Sequence, residues 1–131
     1  MILADTSAWV ESLRRTGSAV ARAFADVRGS GELVTTETVI GELLLGEPDG
    51  ARRAELLDVL LLVPMLSLGG LRGFVEASEL YLGCRRAGVT VRKYTDCLIA
   101  VPAIRADAAV LHADRDFDAM ARVSSLQVVA V

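Results

Sequence analysis

The chain has 131 residues and a formal net charge of −3, which suits one domain and leaves little room for a second. Hydrophobic residues make up 53% of it, so it can bury a sizeable core and is not of a disordered composition. The acidic balance argues against a general polyanion binder, although it is compatible with a nuclease whose metal site is itself acidic.

The first part of the chain predicts strands and helices in alternation. The predicted elements are a strand over 1–4, a helix through 8–13, a helix over 18–28, a strand over 32–35 and a helix over 36–45. Thr6 and Ser7 offer N-caps to the first helix, and Thr36 offers one to the third. In that third helix the apolar positions have helical spacing, and Glu42 lies at the margin of the apolar face.

The second part continues the alternation. The predicted elements are a helix over 51–62, a strand over 65–68, a helix from 70 to about 86, a helix over 95–105, a strand over 108–112, a helix over 117–123 and a strand over 126–129. Gly88 is expected in the left-handed position that ends the long helix. This order predicts an α/β fold, with one domain over residues 1–131 and a parallel sheet of about five short strands sandwiched by helices.

Two helices carry features that bear on function. Pro102 falls inside the helix that begins near Asp96, where proline removes a hydrogen bond to the Leu98 carbonyl. That helix therefore kinks or is shorter than predicted, and either outcome would re-aim Asp96. The helix over 51–62 ends apolar on all sides, although packing on a sheet hides only one stripe. Part of this surface should be exposed, and Leu60→Glu is the substitution expected to disrupt an interface there.

Cysteine usage and hydropathy indicate a cytoplasmic protein. Cys84 and Cys97 have no C-x-x-C or zinc-site spacing, so buried reduced thiols are expected. The N-terminus lacks a basic region and Asp5 interrupts its apolar start, which argues against a signal peptide. The most apolar stretch, over 56–68, is too short and too broken to span a bilayer.

Acidic residues stand where apolar segments give way to a turn or a new helix. They are Asp5, Glu42, Asp96, Asp114 and Asp116. Singly, each could cap a helix, favour its N-terminus or be solvated. Together, carboxylates at the ends of buried strands repel one another unless a cation lies between them. Oxygen-only sites suit hard divalent ions such as Mg²⁺, so the pattern predicts a metal-dependent enzyme that acts on phosphates.

Four motifs, in order along nearly the whole chain, carry a family resemblance. They are D-T-S at 5–7, I-G-E-L at 40–43, T-D-C-L-I-A at 95–100 and H-A-D-R-D-F at 112–117. The chain resembles PIN domains, and most closely the VapC-type toxins of bacterial toxin–antitoxin pairs. The resemblance implies a Mg²⁺- or Mn²⁺-dependent endoribonuclease that cuts structured RNA.

The resemblance also implies roles and partners. It implies acidic catalytic roles for Asp5, Glu42, Asp96 and Asp114, and metal ligation by Asp5, Asp96, Asp114 and, as an outer ligand, Asp116. It implies a VapB-like antitoxin that fills the site, a homodimer and larger toxin–antitoxin assemblies. The apolar helix over 51–62, or its neighbour over 36–45, is the expected interface.

Basic and polar residues near the acids are candidates for supporting roles. Arg85, Arg86, Arg92 and Lys93 form a segment without acids that leads to Asp96, where an RNA backbone could lie. For Arg85 and Arg86, complementing a helix C-terminus is an equal alternative. Thr6 and Ser7 could orient Asp5 or a metal water or only cap a helix. His112 could contact metal water or RNA, or be a hydrogen-bonded residue at a strand end.

Two other functions compete. A non-catalytic PIN-like module that binds a partner or RNA would be signalled by loss of an acid, and none is missing. A phosphoacceptor receiver domain shares the size and architecture, but it needs an acidic pair at the first strand end and a late lysine. Here the first strand ends in one acid, and Lys93, the only lysine, precedes Asp96.

Overall fold

The computed structural model describes all residues 1–131, in four strands and seven helices. In chain order they are β1 (Ile2–Ala4), α1 (Thr6–Leu13), α2 (Ala19–Ser30), β2 (Leu33–Val34), α3 (Glu37–Leu45), α4 (Gly50–Leu61), α5 (Leu71–Arg86), α6 (Tyr94–Ala106), β3 (Ala109–Leu111), α7 (Arg115–Val123) and β4 (Gln127–Val128). The predicted α/β fold with a parallel sheet among helices is confirmed, with one strand fewer.

The sheet has the order β2-β1-β3-β4 and every strand pair is parallel. β1 lies at the centre, with Ile2 paired to Leu33 on one side and to Ala109 on the other. The Asp5 N–H donates to the Leu111 carbonyl at 3.0 Å, which continues the contact between these strands past the end of β1. The segments that follow β1 and β3 therefore emerge side by side at one edge of the sheet, where ligands of such sheets bind.

The strand predicted over 65–68 is wrong, because the segment makes only one bridge, between Thr35 and Met65. Beyond that bridge the backbone groups bond to side chains instead of a strand. The Leu68 N–H donates to the Glu37 carboxylate at 2.8 Å, and Arg105 donates to the carbonyls of Ser67 and Leu68. A segment whose polar groups are taken in this way cannot extend the ladder.

Helix α6 runs through the core, and every residue from 96 to 103 is buried. It contacts a sheet whose central positions Leu3 and Val110 are fully buried. Pro102 lies inside the helix, which nevertheless continues to Ala106. The prediction that proline shortens this helix is therefore wrong. Its missing hydrogen bond would run from residue 102 to the Leu98 carbonyl, which lies past Asp96 in the helix, and the Asp96 N–H still donates to the Lys93 carbonyl at 3.2 Å.

An aspartate caps both α1 and α7, and each of these helices begins two residues earlier than predicted. The N-cap of α1 is Asp5, whose carboxylate accepts the Ala8 N–H at 3.0 Å, so the predicted capping by Thr6 and Ser7 is wrong. The N-cap of α7 is Asp114, which accepts the Asp116 N–H at 3.0 Å. The residue at the N-cap of α3 is Thr36, as predicted, but its side chain makes no capping bond.

The end of α4 is partly exposed, as its composition predicts. Leu61 is 68% exposed and Leu62 is 85% exposed, whereas Leu60 is fully buried. Leu60 therefore belongs to the core, and the choice of Leu60→Glu as an interface probe is wrong. Both cysteines are buried free thiols, as expected. None of the seven helices combines the length and apolar character needed to cross a membrane.

Candidate metal centre

Carboxylates from distant parts of the chain meet at the carboxyl edge of the sheet. Asp5 follows β1, Asp114 follows β3, and Asp96 lies in the first turn of α6. Asp96, Asp114 and Asp116 form the tightest group, here called the acidic trio, with one carboxylate oxygen of each within 4.8 Å of the others. Three carboxylates at this spacing can hold a metal ion.

An open cavity of about 430 Å³ lies against two members of the acidic trio, Asp96 and Asp114. Its lining includes Asp5, Glu42, Asp96 and Asp114, which are the four residues given acidic catalytic roles by the family resemblance. Asp116 belongs to the acidic trio but does not line the cavity, whereas Asp5 lines the cavity without belonging to the trio. The structure thus gathers all five acids, with Asp116 behind the others.

The Asp5 carboxylate is buried and held in one orientation. Ser7 Oγ donates to both of its oxygens, at 2.7 and 2.9 Å, and the Ala8 N–H donates to Oδ1. Burial raises the pKa of Asp5, and the hydrogen bonds from Ala8 and Ser7 oppose that rise. These contacts fix the side chain while its edge still lines the cavity.

Asp96 is buried without such compensation. It is 4% exposed, and its Oδ2 atom has no hydrogen-bond partner. Its pKa is raised to about 7, mainly by burial and then by repulsion from Asp114, while the charge of Lys93 opposes the rise. A buried carboxylate oxygen without a partner is costly, so this atom is the strongest sign in the site that a cation belongs beside it.

The donor set of the acidic trio fits a hard divalent cation. Its ligand atoms are carboxylate oxygens only, and the unpartnered Asp96 Oδ2 offers a free lone pair. Oxygen ligands suit Mg²⁺ and Mn²⁺, whereas zinc and copper sites usually recruit imidazole or thiolate. The site therefore fits the class of metal that the sequence predicts.

Arg92 pairs with two members of the acidic trio. Its Nε donates to Asp116 Oδ2 at 3.0 Å and its Nη2 donates to Asp114 Oδ1 at 2.9 Å. The sequence predicts RNA contact for Arg92 and misses these bonds. No signal in the sequence could show them, because the partners lie 22 and 24 residues away.

The polar residues around the acids are linked by hydrogen bonds. Thr6 Oγ1 donates to Glu42 Oε1 at 2.7 Å, and Ser7 Oγ accepts the Ala113 N–H at 2.8 Å. His112 is buried, its Nδ1 accepts the Asp114 N–H, and its Nε2 lies 3.1 Å from Asp118 Oδ1. The contacts of His112 are therefore with the start of α7 and not with the cavity.

The predicted basic residues divide into two groups. Lys93 lines the cavity and has no ion-pair partner. Arg85 and Arg86 are exposed in the last turn of α5 and do not line the cavity. Of the four basic residues, only Arg92 and Lys93 thus lie beside the acids.

Comparison with known proteins bears on this site. A family model for the PIN domain matches residues 2–123. Ribonuclease VapC11 of Mycobacterium tuberculosis is 39% identical over 135 residues, which cover 99% of this chain and 98% of that protein. The receiver-domain alternative is incompatible with this match.

Solved structures agree on the fold. VapBC2 from Rickettsia felis, bound to a DNA fragment from its promoter, superposes with a TM-score of 0.75 at 18% identity and covers 98% of both chains. VapBC-5 of Mycobacterium tuberculosis, a member of the VapBC family of toxin–antitoxin systems, gives 0.57 at 24% identity and covers 76% of this chain and 82% of its own.

Proposed function

The chain belongs to the PIN domain family, and from this membership we propose that it is a Mg²⁺- or Mn²⁺-dependent endoribonuclease, the toxin of a toxin–antitoxin pair. The name of its relative from Mycobacterium tuberculosis, a VapC ribonuclease, supports the substrate class. One observation carries the metal dependence. Asp96, a member of the acidic trio, is buried with an unpartnered Oδ2 atom, which a cation bound by the trio would satisfy.

The proposed roles follow from the geometry. Asp96 and Asp114 would hold the ion, with Asp5 on the adjacent wall of the cavity. A bound divalent ion lowers the pKa of a water and offsets charge on the phosphoryl oxygens. Glu42, held by Thr6, lies where it can orient a water or receive its proton. Asp116 supports the site from behind through Arg92.

Two further residues, Lys93 and His112, bear on RNA binding and on the choice of mechanism. Lys93 is the cation of the cavity wall that lacks an acidic partner, so it is placed to contact an RNA phosphate. His112 is the only histidine, which excludes a mechanism with two histidines as acid and base. Its ring orients the Asp114 backbone.

The proposed partner is a VapB-like antitoxin. Solved structures of similar fold are VapBC complexes, and this chain exposes Leu61 and Leu62 at the end of α4. Exposed apolar side chains that adjoin one another are typical of interfaces. Antitoxin binding, homodimerisation and a cytoplasmic location, where RNA is available, are all parts of the proposal.

The test is cleavage of total RNA by the purified protein with MgCl₂ or MnCl₂ and with EDTA. Wild type should cut RNA only when the metal is present, and Asp96→Asn should lose activity while its circular dichroism spectrum is unchanged. Asp26→Asn removes an exposed carboxylate of α2 and is the matched control. Full activity in Asp96→Asn would refute the assignment of the site. Absence of metal-dependent cleavage by wild type would favour the non-catalytic PIN-like module.

A further inference from the structure

The contacts of Arg92 with the acidic trio are of two kinds. Asp116 receives both the Arg92 backbone N–H, at 3.1 Å, and Nε, at 3.0 Å. Asp114 receives only Nη2, at the outer end of the guanidinium, at 2.9 Å. One contact is fixed by the backbone, whereas the other depends on the orientation of a terminal group.

Burial separates the two contacts in the same way. The Asp116 side chain is 5% exposed, the Asp114 side chain is 16% exposed, and the Arg92 side chain is 50% exposed. Breaking the pair with Asp116 would leave a buried carboxylate without a partner, which is costly. Releasing Asp114 leaves Nη2 in contact with solvent, which costs little. The outer contact is the one that can exchange.

A divalent cation and Arg92 would compete for the same group. An ion held by Asp96 and Asp114 brings positive charge next to Asp114 Oδ1, which already accepts Nη2. Like charges at such distances repel, and the ion also satisfies Asp96 Oδ2, which Arg92 does not reach. The geometry therefore favours replacement of the outer contact when a divalent ion is present.

We propose that Arg92 is an exchangeable counter-charge of the metal site. It neutralises Asp114 in the metal-free protein, and its Nη2 leaves Asp114 when a divalent cation is bound, while Nε and the backbone N–H keep Asp116 in place. Arg92 is thus a positioning residue, and its released Nη2 is a free donor beside the cavity, available to a phosphate of the substrate. The inference rests on the proposed function, because it requires a metal at the acidic trio.

The first test is calorimetric titration with MgCl₂ in the absence of RNA. Arg92→Gln removes the competing charge and keeps an amide that can bond to Asp116, so it should bind Mg²⁺ roughly two- to fivefold more tightly than wild type. Arg72→Gln is the matched control, because Arg72 pairs with Glu76 on α5 away from the cavity. Weaker or unchanged Mg²⁺ binding by Arg92→Gln would overturn the inference, because a merely structural role for Arg92 predicts a loss of Mg²⁺ affinity in this variant.

The second test separates exchange from simple repulsion and requires no variant. In nitrogen-15 spectra of the metal-free protein, the Arg92 Nη groups should rotate slowly because Nη2 is held by Asp114. Saturation with MgCl₂ should free that rotation and leave the Nε signal protected. Unchanged Nη signals would refute the exchange even if wild type binds Mg²⁺ and cuts RNA, so the proposed function would stand. If the wild-type protein bound no divalent ion, both the exchange of Arg92 and the proposed metal-dependent function would be refuted.

Discussion

Asp5 and Asp96 show how two equally buried carboxylates differ through their neighbours. Asp5 accepts hydrogen bonds from Ser7 and Ala8, whereas Asp96 Oδ2 accepts none and its pKa rises to about 7. The contacts to Asp5 are local in sequence and could be anticipated from D-T-S. The isolation of Asp96 depends on packing around α6, which no sequence pattern specifies.

The pKa of Asp96 predicts how metal-free stability depends on pH. The folded pKa of about 7 lies above the ordinary value of 3.8, so between these values the folded state binds more protons than the unfolded state. Stability should therefore fall as the pH rises from about 4 towards 7 and stay low above that. Asp96→Asn removes this penalty. In EDTA at pH 8 it should be more stable than wild type by roughly 2–4 kcal/mol, measured by urea unfolding.

The control for this prediction is the same pair of measurements at pH 5 and in an exposed variant. At pH 5 most Asp96 is already protonated in the folded state, so the gain of Asp96→Asn should shrink. Asp26→Asn should change the free energy of unfolding by less than about 0.5 kcal/mol at either pH. If Asp96→Asn were less stable than wild type at pH 8, the charge of Asp96 would not be destabilising the metal-free folded state.

Ser7 gives a second prediction for a single residue. Its hydroxyl bonds to both Asp5 oxygens and accepts the Ala113 N–H, so it links the segments after β1 and β3. Ser7→Ala frees the Asp5 carboxylate to rotate and should weaken Mg²⁺ binding about tenfold or more, measured by calorimetry. Ser78→Ala removes an exposed hydroxyl of α5 and should have no effect. Equal affinities in the two variants would restrict Ser7 to a structural role.

The helices place the acids as much as the strands do. Asp5 and Asp114 are N-caps, and Asp96 and Asp116 lie in first turns. The partial positive charge at each helix start lowers the cost of gathering like charges. The sequence predicts most of these positions, because an acid after an apolar run and before a helical pattern indicates a strand-to-helix turn.

The errors in element assignment also have physical causes. No strand forms at 65–68 because Glu37 and Arg105 form hydrogen bonds with the backbone groups of this segment. Such long-range side-chain contacts cannot be predicted from local composition. The sequence does predict that the acids lie together, because a parallel sheet brings the carboxyl ends of its strands to one edge. The sequence predicts that Arg92 contacts RNA, whereas its pairing with the acidic trio can be seen only in the folded structure.

The start of α6 gives a prediction about RNA. Lys93 is its N-cap residue, lines the cavity and has no acidic partner. In an Asp96→Asn background, which prevents cleavage, Lys93→Ala should weaken RNA binding and make the logarithmic salt dependence shallower by roughly one unit. Fluorescence anisotropy at several salt concentrations measures both.

A comparison with α5 sharpens that test. Arg85 and Arg86 do not line the cavity, so replacing both with alanine reports on the alternative basic site. A salt dependence that changes only in the Arg85 and Arg86 variant would move the RNA path to the end of α5. A slope unaltered by Lys93→Ala would assign Lys93 to the solvated surface.

At the scale of the whole molecule, the core is built around α6 and the central strands, and α4 is peripheral. Among the last residues of α4, only Leu60 is fully buried, while Leu61 and the following Leu62 are mostly exposed. The sequence predicts exposure at this end because a helix hides only one stripe. Which leucine faces inward depends on the rotation of the helix, and a run of leucines gives no pattern that fixes it.

Leu61→Glu tests this surface as an interface. The side chain is 68% exposed, so the variant should stay folded, and it should reduce antitoxin affinity about tenfold or lower the mass of the oligomer, measured by antitoxin pull-down and light scattering. Val123→Glu alters an exposed residue at the end of α7 and serves as control. Leu60→Glu should instead unfold the protein, because it buries a charge. A folded Leu61→Glu protein with wild-type mass and binding would exclude this surface.

The pairing of β1 with β3 has a consequence for folding during translation. The carboxylates of the site are spread from residue 5 to residue 116, so no short stretch of the emerging polypeptide contains them all. During translation, β1 cannot pair with β3 until more than a hundred further residues have been synthesised, and the cavity cannot form before then. The proposed nuclease site is therefore incomplete, and cannot act on nearby RNA, for nearly the whole time that the chain is being synthesised.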